Sequence, residues 1–256
     1  MPRTVLVKLH YDGGRFAGWQ RQAAGMGRTV QAELEQVLER LAGGPVRAHA
    51  AGRTDAGVHA LGMAVSCTMP DRWGPVELRR ALNALLPADC WAAGCQEMRP
   101  GFQARKCATA RQYRYLVGCD PASRSPFRRR FEWDLGEPLA ALALNRAAEP
   151  LQGEHDFSGF SVRSSARAHR RCRIALARWT ERAGARGFML DISADRFLHH
   201  MVRMLVGTMV DIALARRPQE DVLRLLALDP AVRTSPPAPA RGLYFMAAEY
   251  PPEWYA

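Results

Sequence analysis

The chain has 256 residues, is 48% hydrophobic, and carries a formal charge of +11 with a pI near 10. That length can bury one large core or two modest ones, and no apolar run approaches the roughly 18 residues of a membrane-spanning helix. The N-terminus, "MPRTVLVKLHYDGG", enters an alternating pattern without the layout of a signal peptide, so a soluble cytoplasmic protein is expected. In "TVLVKLHY", Val5, Val7 and Leu9 alternate on one side as a half-buried strand requires. A glycine-rich loop, "YDGGRFAGWQRQ", follows with Asp12, Phe16, Trp19 and Gln20. Thr29 is the expected N-cap of a helix whose apolar stripe is Val30, Leu34, Val37, Leu38 and Leu41, ended by Gly43-Gly44. A short strand near "VRAHA" leads into the loop "AAGRTDAGVHA" (50–60). A strand in "LGMAVSCTM", a helix opened by Pro75 and a strand in "CWAAGCQEM" come next.

The second half repeats the order. "CATARQYRYLVGC" has the aromatic and β-branched content of a strand, and "LAALALNRAAEPL" is helical as far as Pro150. Strands are expected near 172–181 and 186–193, a long helix over "DRFLHHMVRMLVGTMVDIALA", a short helix near 219–228, and a closing strand in "GLYFMAAEY". The fold class expected is α+β: two similar α/β halves with mainly antiparallel sheets covered by helices and a central cleft between them. The halves are residues 1–104, with the Asp55 loop, and 105–256, with the tyrosine strand and the arginine helix.

Arginine supplies nearly all of the positive charge, 34 residues against Lys8 and Lys106. Residues 99–130 hold nine basic residues and one acid, Asp120, and residues 163–186 hold eight arginines and one acid, Glu181. Belts of this kind attract a polyanion. Neither alternates with the bulky apolar face that an interfacial helix needs, which disfavours a membrane surface. The six cysteines form no CxxC pair and fit reduced thiols. His199 and His200, as neighbours on a regular helix, point about 100° apart and cannot share one ion, so no structural metal is expected. No phosphate loop or dinucleotide fingerprint is present, and no cofactor is expected.

Asp55, in a small-residue loop, reads either as an Asx-turn bonding its own backbone or as a reachable nucleophile or general base. Arg53, two residues earlier, can hold it ionised and oriented. No second carboxylate is paired with it as a glycosidase requires. His59 fits a structural role equally well. Tyr113 and Tyr115 share one strand face, as core or, beside Arg111 and Arg114, as a platform for stacking a base. Arg203 sits in an apolar helical stretch and is expected to find a carboxylate or a ligand, with Asp55 as the guess.

"GRTDAGVHA" (52–60) resembles the signature of the tRNA pseudouridine synthase A family. "YDGGRFAGWQRQ", "TVQAELE", "FQARKCATARQYRY", "GEHDFSGF", "FLHHMVRMLVG" and "APARGLYF" match its pattern in the same order. The resemblance implies isomerisation of uridine to pseudouridine at positions 38–40 of the anticodon stem-loop of transfer RNA, by a cofactor-free homodimer. It implies that Asp55 is the nucleophile, that Tyr113 stacks on the target uracil and that Arg203 pairs with Asp55. Arg53 would help displace the target nucleotide, and Leu243 would contact the base. Two departures are Gly101 and Gln103, where the family has Asp and His, and "RTSPPAPARG", which replaces a Thr-containing loop. Both bear on RNA contacts more than on the chemistry. Two rivals are a non-catalytic stem-loop RNA-binding module, which has no use for Asp55, and a nucleoside hydrolase, which has no need of a basic exterior.

Overall fold

The computed structural model describes residues 2–23, 25–161, 170–184 and 186–256. The chain forms two compact units: Met1–Arg111 with Tyr244–Ala256, and Gln112–Leu243. The α+β class is borne out in each.

In the first unit the strands run in the order β4 (Cys90–Met98), β1 (Arg3–Tyr11), β3 (His59–Met69), β10 (Leu243–Glu249), with β2 (His49–Ala50) also on β3. The β1/β3, β1/β4 and β2/β3 pairs are antiparallel, and β10 joins β3 in parallel through Tyr244↔His59 and Phe245↔Ala60. Those two pairings tie the last strand to the first unit. The division therefore falls at 111/112 and 243/244, whereas the expected one was at 104/105. The pairing is long-range, and nothing local in "GLYFMAAEY" announces it.

Two helices cover this sheet. α1 (Val30–Ala42) starts where expected: Thr29 Oγ1 accepts from Ala32 N, and Gly43 closes the helix in the left-handed region at φ 81. α2 (Pro75–Leu85) has Pro75 in its first turn and packs on β4. Asn83 on α2 bonds both the N–H and the carbonyl of Ala92, beside the point where the β1/β4 register slips. Val5, Val7 and Leu9 of β1, Leu34 and Leu38 of α1, and Leu78 and Leu82 of α2 are all sealed from solvent in the core. Each such side chain contributes about 2 kcal/mol of burial.

In the second unit the order is β5 (Ala110–Gly118), β9 (Gly187–Ala194), β8 (Arg171–Glu181), β7 (Gly153–Asp156). β6 (Trp133–Asp134) lies parallel to β5. β7 and β6 are too short to leave a periodic trace in the sequence. α3 (Ala141–Ala148) packs on β8 and on α4 (Met201–Ala213), and α5 (Asp221–Leu226) follows. The long helix expected from Asp195 onward begins only at Met201, because His200 has φ 62 and breaks the helical path. The reasoning that placed His199 and His200 on a helix therefore fails: they precede it, with ring centroids 4.0 Å apart. Among the described residues no helix is long and apolar enough to cross a membrane.

Candidate active site

Asp55 sits in the loop that joins β2 to β3. Val58 N donates to Asp55 O at 3.2 Å, and Gly57 has φ 79, so residues 55–58 make a tight turn whose third position needs glycine. The preceding residue, Thr54, is buried and held twice. Its Oγ1 lies 2.8 Å from Tyr11 Oη, and its carbonyl accepts from Trp19 N at 3.0 Å. Gly18 faces this backbone at φ +100, where an added Cβ would stand 2.8 Å from Thr54 O. "YDGGRFAGWQ" is thus a backbone brace for the Asp55 loop. Arg28 fixes the brace in turn, with a bidentate pair to Asp89, a bond to Glu33 and its guanidinium 4.4 Å from the Phe16 ring. These bonds raise the Arg28 pKa, with Asp89 the largest cause.

Asp55 is partly exposed, and Arg53, two residues earlier, is exposed. Among the described residues no ion pair joins Arg53 to Asp55. His59 is buried and structural. Its Nδ1 accepts from Gly13 N at 3.1 Å, and its ring stacks on Tyr244 with centroids 4.9 Å apart. Asp12 Oδ1 also lies 3.2 Å from Nδ1. Arg111 donates to the carbonyls of Ala51, Ala108 and Arg105, which anchors the start of the loop.

The remaining candidates lie in the second unit. Tyr113 and Tyr115 are both buried, as alternate residues on one face predict, yet they differ in task. Tyr113 sets its ring edge-on to Phe197 at 5.1 Å. Tyr115 donates its hydroxyl to Pro239 O at 2.7 Å, and burial pushes its pKa well above the ordinary value. Arg114, expected to flank a stacking platform, instead makes a two-bond pair with Asp191.

Arg203 is half-buried on α4, and its Nε donates to Ala238 O at 2.7 Å while Ala238 N donates back to Arg203 O. One turn on, a Cβ at Gly207 would lie 2.3 Å from Pro236 O. Residues 236–238 are thus packed against α4, and Leu243, after the short turn that follows, is buried. The second basic belt is partly neutralised: Arg171 and Arg173 share Glu154, and Arg182 pairs with Glu132. Arg163 and Arg167 of that belt lie outside the described residues.

Sequence reasoning missed Thr54 and Tyr11. Tyr11 continues the inward alternation of Val5, Val7 and Leu9, so its burial was readable, whereas its partner was not.

The sequence profile of tRNA pseudouridine synthases matches residues 9–99 and 147–251. The chain belongs to the tRNA pseudouridine synthase family. It is 41% identical over 246 residues to tRNA pseudouridine synthase A of Moorella thermoacetica, covering 95% of this chain and 98% of that one. Over 251 residues it is 38% identical to the enzyme of that name from Thermus thermophilus, with 98% of each chain covered. It is also 40% identical to the one from a Methylobacterium species over 252 residues, again covering 98% of each. Asp55, Arg53, Arg203 and Leu243 fall within the segments matched by the family profile, and Tyr113 falls between them.

Proposed function

We propose that this chain isomerises uridine to pseudouridine in the anticodon stem-loop of transfer RNA, at positions 38–40, with Asp55 as nucleophile. The observation that carries this reading is the braced turn. Thr54, Gly18 and Gly57 hold the loop backbone while Asp55 stays partly exposed, in a chain whose relatives bear that enzyme name.

In the reaction the C1′–N1 bond breaks, the uracil turns while bound, and C5 joins C1′. C5 loses its proton and N1 gains one, so no net redox change occurs. Asp55 can act by adding to C6, by attacking C1′, or by removing the C2′ proton; each needs an ionised carboxylate beside sugar and base. A target in a paired stem is first flipped out, at a cost of a few kcal/mol. Arg53, exposed and not engaged with Asp55, suits the task of displacing that nucleotide. Tyr113 stacks on the freed uracil, Leu243 contacts it, and Arg203 pairs with Asp55. The working form is a cytoplasmic homodimer with one tRNA contacting both subunits.

Incubating the protein with unmodified tRNA, without cofactor, tests the reading. Pseudouridine is the expected product. An unchanged tRNA indicates an RNA-binding module, and free uracil indicates a hydrolase.

A further inference from the structure

A pocket of about 170 Å³ opens on the first unit beside β2, the strand that leads into the Asp55 loop. Its polar lining is Arg47, His49, Thr4, Ser66 and Thr68, with the ring of Phe102 also at its wall. The register explains the cluster. Thr4 pairs with Thr68, and Leu6 with Ser66, so these hydroxyls stand on the sheet face opposite Val5, Cys67 and Met69, which point into the core. His49 pairs with Ser66 across β2/β3. Ser66 Oγ is already committed, accepting from Ala104 N and donating to His49 O, and this fixes the pocket's back.

Arg47, His49 and Thr68 are exposed. Among the described residues, Arg47 and the His49 ring form no ion pair, and no carboxylate lines the pocket. This sets Arg47 apart from Arg28, Arg114, Arg128 and Arg182, each of which is tied to an acid. A guanidinium, an imidazole and two hydroxyls lining one pocket without an acid suit a tetrahedral oxyanion.

We infer that this pocket takes a backbone phosphate of the RNA strand that carries the target nucleotide. The inference rests on the proposed function, since tRNA is the polyanion involved. Arg47 supplies two N–H donors to the phosphate, and His49 and Thr68 supply one each. The contact reads no base. It fixes the register of the strand relative to the loop that carries Asp55.

The test measures tRNA binding and turnover for Arg47→Ala, His49→Ala, the double variant, Arg47→Lys, and Arg40→Ala as a control for lost charge on exposed α1 surface. For the double variant, KM should rise roughly tenfold with kcat within about twofold. The slope of log binding constant against log salt should become shallower by about 1 for Arg47→Ala. Arg47→Lys should recover most of the slope, and Arg40→Ala should match wild type. A double variant whose KM and salt slope equal those of Arg40→Ala overturns the inference, as does a loss confined to kcat. Binding is read without turnover, so a wild-type chain that forms no pseudouridine would remove the proposed function and leave the slope comparison to decide the pocket.

Discussion

The hydroxyls of Tyr11 and Thr54 meet at 2.8 Å in the core of the first unit, joining the end of β1 to the residue before Asp55. The strand that builds the core thereby also sets the height of the candidate nucleophile. Tyr11→Phe strands the buried Thr54 hydroxyl and should cost about 1–2 kcal/mol, read as a lower urea midpoint. It should also lower kcat more than it changes KM. Adding Thr54→Val should cost less than the sum of the two single changes, because both then lose the same bond. Strict additivity would show that the hydroxyls do not act together.

Gly18 is held at φ +100 with Thr54 O in the place of a side chain. Gly18→Ala is therefore strained and pushes on the Asp55 loop. It should destabilise by about 2 kcal/mol and lower kcat by about tenfold to a hundredfold through misplacement. Differential scanning calorimetry and single-turnover assays check the two parts separately.

These two effects show how far the sequence could be read. Thr29 and Gly43 bound α1 as their cap chemistry predicts, since both signals are local. The positive φ of His200 is not coded by residue type, so the start of α4 was placed too early. The return of β10 to the first unit rests on two long-range parallel pairings that no local pattern carries. At the site, Asp55 was legible as a lone acid among small residues. The brace from Gly18 and Tyr11 was not, because its partners are over thirty residues away in the chain.

Arg114 belongs to the first basic belt but is committed to Asp191, with both side chains about one-third exposed. Arg114→Ala should reduce stability by about 0.5 kcal/mol after solvent screening. The KM for tRNA should stay within about twofold. A marked loss of RNA affinity would return Arg114 to the RNA-binding surface.

Burial pushes the thiols of Cys67, Cys90, Cys95 and Cys172 up to about 12 from an ordinary 9.0. Above pH 9 the unfolded chain releases these protons while the folded chain keeps them. Stability should be intact below pH 9 and fall as pH rises toward 12. Urea midpoints should be lower at pH 10.5 than at pH 8, and folded protein at pH 8 should resist iodoacetamide at these positions. Rapid labelling of Cys67 without unfolding would contradict its burial.

The proposed chemistry depends on the Asp55 carboxylate. Asp55→Asn keeps the size of the side chain and leaves the bonds from Tyr11 and Trp19 to Thr54 in place. The decisive measurement is pseudouridine formation in single turnover, with this variant in excess over an unmodified tRNA transcript, beside a binding assay on the same RNA. Binding within about threefold of wild type and no pseudouridine are expected. Pseudouridine formed at a rate near wild type would contradict the role of Asp55.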